Sequence, residues 1–157
     1  MNNGKTFIVT GAASGIGAET CRLLKEQGAT VIGGDRNETG NADRFFRAEL
    51  ADPASIDALI AELPDGTDGL ANIAGVPPTM AAEAVLKVNL YGLQRLTLGL
   101  VPKLADGASI ANLASLAGFG WPNAVDQVKR TMDLSLEDDV AAFCRAEGLN
   151  EAEGGRS

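Results

Sequence analysis

Apolar and polar positions alternate along the chain in blocks that predict strands and helices in turn. The β-branched and aromatic run "TFIVT" at 6–10 predicts a buried strand. Four further apolar runs predict strands at 29–35, 44–50, 68–75 and 108–114. Three segments with apolar residues at helical spacing predict helices at 14–27, 52–63 and 80–104. This alternation indicates a doubly wound parallel α/β sheet, for which we predict the strand order 3-2-1-4-5.

Capping residues mark the ends of the first two predicted helices. Ser14 and Asp52 precede them, where a side-chain oxygen can accept a bond from a free amide, and Gly28 suits the end of the first helix. One face of that first helix is predicted to be apolar and buried, and it carries Ile16, Thr20, Leu23 and Leu24.

The helical and strand pattern loosens after Gly120. Two short helices are predicted there, at 123–132 and 135–147, with Ser135 as the cap of the second, and the tail "NEAEGGRS" has no periodicity. We therefore divide the chain into an α/β core of residues 1–118 and a partly helical segment of residues 119–157.

Composition excludes several classes of function. The net charge of −8, without a basic run, argues against a nucleic-acid partner. No apolar run approaches the roughly 18 residues of a membrane span, and the N-terminus does not resemble a secretory signal, so we expect a cytoplasmic protein without a membrane partner. The absence of histidine excludes histidine-based triads, and the two distant cysteines indicate reduced thiols with no metal site.

The segment "TGAASGIGAET" joins the first predicted strand to the first helix. Its glycines, Gly11, Gly15 and Gly17, permit a tight turn and a close backbone approach to a pyrophosphate, and the helix N-terminus favours negative charge. Strand, glycines and helix in this order predict a Rossmann-like dinucleotide site. A purely structural glycine turn is the alternative.

An acidic residue ends the second predicted strand. Asp35 stands 18 residues after Gly17, where a carboxylate can bind the adenosine ribose and repel a 2′-phosphate. Arg36, beside it, could instead bind that phosphate. We expect Asp35 to prevail, so that the cofactor is NAD and not NADP.

Four motifs in order resemble the short-chain dehydrogenase/reductase family. They are the glycine pattern of residues 10–17, "NIAG" at 72–75, "VNLYG" at 88–92 and "SLAG" at 115–118. Within the family, "VIGGDRN", "GLANIAGVPPT" and the long segment after the serine look like a bacterial subgroup that contains 3α-hydroxysteroid and coniferyl-alcohol dehydrogenases.

The resemblance implies a role for each matching residue. The cofactor would be bound by Gly11, Ser14, Gly15, Ile16, Gly17, Asp35, Arg36, Glu49, Leu50, Asn72, Ala74 and Gly75. Glu49 stands where the family usually has an aspartate, and Ile73 replaces its second asparagine. Asn89 would hold a water for proton relay, and Ser115 would orient the substrate oxygen. Asn72 as a tie between strands, and Ser115 as a helix cap, are the structural alternatives.

The proton donor of the family is missing from this sequence. No Tyr-x-x-x-Lys follows Ser115, and Tyr91 with Arg95 precedes the serine, so Tyr91 is expected to be a packing residue, whereas Trp121 could line a pocket or fill the core. We expect the natural polypeptide to continue past Ser157 with that pair. A lysine four positions after a tyrosine would lower the pKa of the phenol and let it act as a base.

These features together predict an NAD-dependent oxidoreductase. Its partners would be a secondary or aromatic alcohol, or the matching ketone or other carbonyl, and further copies of itself, as a homodimer or homotetramer. The assembly is expected because helix 80–104 is apolar nearly all round. A non-catalytic NAD-binding module and a methyltransferase are the alternatives, although the methyltransferase leaves "VNLYG" and "SLAG" unexplained.

Overall fold

A single parallel sheet organises the chain, whose computed structural model describes residues 2–149. The tail at 150–157 lies outside the described residues. The strands are β1 (Thr6–Thr10), β2 (Thr30–Asp35), β3 (Arg44–Arg47), β4 (Thr67–Asn72) and β5 (Leu104–Asn112). Their spatial order is 3-2-1-4-5 and every pair is parallel, which confirms the predicted topology.

Six α-helices accompany the strands in the described part of the chain. They are α1 (Gly15–Glu26), α2 (Pro53–Glu62), α3 (Ala82–Leu86), α4 (Leu93–Leu100), α5 (Val125–Met132) and α6 (Val140–Ala146). A π-helical turn, Lys87–Gly92, joins α3 to α4, and a 3₁₀ turn, Val101–Lys103, follows α4. The helix predicted at 80–104 is therefore present but changes its hydrogen-bonding pattern three times, from α to π, back to α and then to 3₁₀.

Alternate residues of the central strands face two separate hydrophobic clusters. Ile8 and Ile32 belong to the larger cluster, with α2, α4 and α6, whereas Val9 and Val31 belong to a smaller one, with Cys21 of α1. Both cysteines are free and buried, Cys21 in the small cluster and Cys144 in the large one. The period of two along the strands thus separates the faces that the two helical layers cover.

Two predicted helix ends are confirmed and two are corrected. Asp52 Oδ1 accepts a bond from the Ala54 amide at 3.1 Å, and Gly28 ends α1 with a φ of +84°. Ser14 holds the N-cap position of α1, but its hydroxyl makes no capping bond. Asp139 caps α6 in place of Ser135, because the Ser135 hydroxyl donates to Asp138 at 2.9 Å.

The buried face of α1 differs from the predicted one. Of the predicted residues, Ile16 and Leu23 are exposed, whereas Leu24 packs partly buried against the smaller cluster. The fully buried residues of α1 are Gly17 and Cys21. Two small residues let the helix approach the sheet closely, so backbone proximity and not side-chain size selects this face. The ends of β3 and β5 also differ, since β3 stops at Arg47 and β5 begins at Leu104.

β5 pairs with β4 alone among the described strands, and most of its residues are exposed, including Ile110. In α4, Leu96 and Leu100 are fully buried against the sheet. Leu98, on the opposite side, is exposed, as is Val101 after it. None of the described helices is long and apolar enough to cross a membrane.

Candidate functional site

A cavity of about 330 Å³ opens at the carboxyl ends of β1, β2 and β4. In a doubly wound sheet this edge is where ligands bind. Its walls include most of the residues predicted for a cofactor, namely Gly11, Ser14, Gly15, Ile16, Gly17, Asp35, Arg36, Glu49, Leu50, Ala74 and Gly75. Residues separated by up to 64 positions therefore meet in one cavity.

The turn between β1 and α1 requires glycine for reasons of space. Gly11 has a φ of +71°, and a Cβ there would lie 2.9 Å from the Ala74 amide nitrogen. A Cβ on Gly17 would lie 1.9 Å from the carbonyl oxygen of Gly11. The first amides of α1 have no partner within their own helix, and this end of the helix carries partial positive charge. The turn can therefore hold an anionic group such as a pyrophosphate.

Asp35 ends β2 with both carboxylate oxygens engaged by backbone amides. Oδ2 accepts a bond from the Ala13 amide at 3.0 Å and Oδ1 accepts one from the Asn37 amide at 2.9 Å. Each oxygen has a further lone pair that can accept a hydrogen bond from a hydroxyl group. These two bonds fix the carboxylate in the cavity wall.

Arg36 and Glu49 face each other at the same end of the cavity. Their charged groups are 4.0 Å apart, from Nη1 to Oε2, and both side chains are exposed. The Glu49 amide donates to the Ser55 hydroxyl at 3.0 Å, which fixes the backbone between β3 and α2. The pair draws the guanidinium of Arg36 toward Glu49, with the modest strength of an exposed ion pair.

Thr10 lines the cavity and was not among the residues predicted from the sequence. Its buried hydroxyl accepts bonds from the amides of Ile73 at 3.0 Å and Ala74 at 3.1 Å. These bonds hold the loop after β4 against the glycine turn. A buried threonine at the end of β1, directly before Gly11, is the signal that could have identified it. Other unselected wall residues are Gly34, Asn37, Ala48, Ile73, Val76, Val88 and Leu113.

Asn72 lies beside the cavity but outside its lining. It is buried, and its Nδ2 donates to Asn112 Oδ1 at 2.8 Å and to Thr97 Oγ1 at 2.9 Å. The side chain thus links β4 to β5 and to α4. Asn72 thus makes the contacts expected of the structural alternative, in which its side chain links neighbouring strands.

Asn89 lies in the π-helical turn and also stands just behind the cavity wall. Its Oδ1 accepts a bond from the Val76 amide at 2.8 Å, and its Nδ2 donates to the Val76 carbonyl at 2.9 Å. Val76 itself lines the cavity, as does Val88. The carboxamide therefore positions the loop after β4 through a reciprocal pair of hydrogen bonds.

We expect Asn89→Asp to lower the free energy of unfolding by about 1–3 kcal/mol at pH 7, because a carboxylate cannot donate to the Val76 carbonyl. The charged form of the new carboxyl is disfavoured in the fold, so its pKa is raised. The loss is then small below about pH 4 and grows as pH rises. Urea unfolding at pH 3.5 and 7 measures it. Asn123→Asp, the same change at an exposed position, is the control, and equal losses in both variants would contradict the prediction.

Ser115 follows β5 and is exposed. Its Oγ accepts a bond from the Ala117 amide at 3.1 Å and thereby caps the 3₁₀ turn Leu116–Gly118. The hydroxyl proton is not used in this bond, so the capping residue can still donate to another oxygen. Trp121, six positions later, is exposed, so it does not fill the core.

Tyr91 is a core residue, as predicted. It is 2% exposed, and its Oη donates to the Thr131 carbonyl at 2.8 Å. Burial raises the pKa of the phenol, so the hydroxyl stays protonated at neutral pH. Arg95 pairs with Asp57 and Glu137 and lowers the pKa of both carboxyls through hydrogen bonds. Tyr91 and Arg95 are therefore separately engaged and do not form a catalytic pair.

Comparisons with known proteins agree with this architecture. A coniferyl-alcohol dehydrogenase of Pseudomonas sp. is 48% identical over 119 residues, which cover 75% of this chain and 47% of that protein. The 3-oxoacyl-acyl-carrier-protein reductase of Thermotoga maritima is 31% identical, over 76% of this chain and 59% of that protein. The chain thus spans about half the length of the curated relatives it matches.

The solved structures show the same fold. The 3-alpha-hydroxysteroid dehydrogenase of Pseudomonas sp., determined with NADH, superimposes with a TM-score of 0.71 at 31% identity, covering 96% of this chain and 57% of that one. The sequence model of the short chain dehydrogenases matches residues 5–125, from β1 to the start of α5. Together with the glycine turn, the strand order and the cavity, this match establishes that the chain belongs to the short-chain dehydrogenase family.

Proposed function

We propose that the cavity binds NAD and that the protein serves hydride transfer between this cofactor and a secondary or aromatic alcohol, or the corresponding carbonyl compound. The Asp35 carboxylate, held by two backbone amides at the end of β2, carries the proposal. A carboxylate in this position recognises ribose hydroxyls and repels a 2′-phosphate.

The residues that line the cavity support an assignment of each part of the dinucleotide. Gly11, Gly15 and the first amides of α1 would hold the pyrophosphate. Glu49 and Leu50 would lie beside the adenine, and Ala74 and Gly75 along the middle of the cofactor. A bound nicotinamide supplies or accepts the hydride.

The Arg36–Glu49 pair supports the preference for NAD. A 2′-phosphate would need the Arg36 guanidinium as its partner, and Glu49 competes for that group at 4.0 Å. The nearby Asp35 carboxylate adds repulsion. We therefore propose NAD as the cofactor, with NADP bound more weakly.

Ser115 and the exposed apolar residues after it support the substrate class. The hydroxyl would donate to the substrate oxygen and orient it, and Leu116, Phe119 and Trp121 are all exposed nearby in sequence. Two relatives are named for a coniferyl alcohol and for a hydroxysteroid, an aromatic and a secondary alcohol. Asn89 would hold a water for the proton path, as the family resemblance implies.

A non-catalytic NAD-binding module is the second candidate. It requires the cavity at the carboxyl ends of β1, β2 and β4 but no proton donor. The cofactor site would be the same in both cases. Turnover of alcohols by the chain, in the presence of NAD, separates the two candidates.

Calorimetry with NADH, NADPH and S-adenosylmethionine tests the cofactor proposal. We expect NADH to bind most tightly. Tighter binding of NADPH would show that Arg36 dominates over Asp35. Binding of S-adenosylmethionine with no affinity for NADH would overturn the proposal in favour of the methyltransferase alternative.

We also propose that the outer face of α4 contacts a second copy of the chain. Leu98 is 64% exposed and Val101 is 50% exposed, on the side of the helix away from the sheet. Exposed leucine and valine on one face are typical of an assembly surface. We expect light scattering to give a homodimer or homotetramer at micromolar concentration, and Leu98→Glu to lower the mass; a monomeric wild-type chain would contradict this.

A further inference from the structure

We propose that Tyr91 is a positioning residue that locks helix α5 onto the π-helical turn and so holds one wall of the cavity. Tyr91 is the single tyrosine of the sequence and is buried inside the larger hydrophobic cluster. Its Oη donates to the Thr131 carbonyl in the last turn of α5, 40 residues away along the chain. The bond thus joins the segment after Ser115 to the segment before it.

The helix pair α5–α6 is held at the same place by further contacts. Leu136, Val140 and Cys144 pack in the cluster that contains Tyr91. At the surface, Arg95 joins Asp57 of α2 to Glu137, which precedes α6. Three contacts therefore hold α5 and α6 against the π-helical turn and α4. They are the buried hydrogen bond of the Tyr91 hydroxyl, the apolar packing and the exposed ion pair of Arg95 with Glu137.

The π-helical turn connects this support to the cavity. Tyr91 stands two residues after Asn89, whose side chain holds Val76 by two hydrogen bonds. Val76 and Val88 both line the cavity. Because i→i+5 turns are rare and depend on local context, the turn needs tertiary support to keep this geometry. Tyr91 supplies that support from the side opposite the cavity.

The chemistry of the hydrogen bond between Tyr91 and Thr131 indicates a contact that does not depend on pH near neutrality. Burial raises the pKa of Tyr91, so its hydroxyl remains a donor across the neutral range. The groups that raise this pKa by their charge, Cys144 and Asp138, come from α6 and the turn before it. Removing the hydroxyl would leave the Thr131 carbonyl without this donor and loosen α5 from the turn.

Tyr91→Phe tests the proposal, because it removes one oxygen and keeps the ring in the core. We expect the Val76 amide, which donates to Asn89, to exchange with deuterium about tenfold faster, while amides in β1 keep their wild-type rates. The Kd for NADH should rise several-fold. The Kd measurement rests on the proposed function, whereas the exchange rate of the Val76 amide does not. If the wild-type protein does not bind NADH, the exchange rate still tests the positioning role of Tyr91.

Thr67→Val is the matched control. Thr67 is also fully buried, its hydroxyl has no hydrogen-bond partner among the described residues, and it lies at the opposite end of β4 from the cavity. We expect Val76 exchange in this variant to equal that of wild type. Wild-type Val76 exchange in Tyr91→Phe, with faster exchange confined to α5, would overturn the proposal.

A second variant tests the same proposal if Tyr91→Phe does not fold. Glu137→Gln weakens the ion pair between Arg95 and the segment before α6, at an exposed site. We expect the same direction of change at Val76, with a smaller increase in exchange. If this variant folds and its Val76 amide exchanges at the wild-type rate, the result would count against the positioning role of Tyr91.

Discussion

Gly17→Ala should abolish tight cofactor binding and lower the free energy of unfolding by about 3 kcal/mol or more. The added Cβ would lie 1.9 Å from the Gly11 carbonyl oxygen and 2.5 Å from its carbon, and both are backbone atoms. Neither can move aside like a flexible side chain, so α1 must shift away from β1. Overpacking usually costs about 1–3 kcal/mol, and a backbone clash of this depth belongs at or above the upper end.

The displaced helix would also carry its free amides out of the cavity. We expect the Kd for NADH to rise more than about tenfold, because several hydrogen bonds to charged phosphate oxygens weaken together. Urea unfolding and calorimetry measure the two effects.

Gly40→Ala is the matched control for this substitution. Gly40 is exposed, and a Cβ there would meet nothing within 4 Å. Its stability should stay within about 0.5 kcal/mol of wild type, with unchanged cofactor affinity. A Gly17→Ala protein as stable as Gly40→Ala would contradict the packing argument.

Asp35→Ala should weaken NADH binding by roughly 10- to 100-fold and leave NADPH binding unchanged or stronger. Each hydrogen bond to a charged group contributes about 1.5–3 kcal/mol, and tenfold in Kd corresponds to about 1.4 kcal/mol. The lost carboxylate would remove the ribose acceptor and the repulsion of a 2′-phosphate at once. Calorimetry with both cofactors on both proteins gives the ratio of affinities.

The amide bonds of Asp35 make a control for stability necessary. Asp43 also accepts a bond from a backbone amide, that of Val31 at 2.8 Å, but it does not line the cavity. Asp43→Ala should therefore lower stability while the ratio of NADH to NADPH affinity stays at the wild-type value. An equal change of that ratio in both variants would show that Asp35 acts through folding and not by contact with the ribose.

Local patterns predicted much of the architecture. The alternating elements and the glycine turn were predictable because a period of two, a period of 3.6 and the backbone needs of glycine are all encoded over a few residues. The strand order followed from the doubly wound fold class that this alternation indicates. Asp35 was predictable because the carboxyl end of β2 lies beside the glycine turn in any such sheet. The cavity lining therefore contains most of the residues selected from the sequence.

Local patterns did not predict the contacts that form where distant segments meet. Asn72 and Thr10 are both polar residues at strand ends, and only their partners distinguish them: Asn72 bonds to Thr97 and Asn112, whereas Thr10 holds the cavity loop. The buried face of α1 follows Gly17 and Cys21 because the helix lies so close to the sheet.

The sequence by itself determined the alternating elements, the glycine turn and the acid that ends β2, because each depends on short-range spacing and backbone geometry. The tertiary structure alone decided which polar side chains face the cavity and which link elements. It also decided that Tyr91 would meet Thr131 across 40 residues. Such contacts depend on how closely packed elements approach one another, and that distance is set by the whole core and not by any local stretch of the chain.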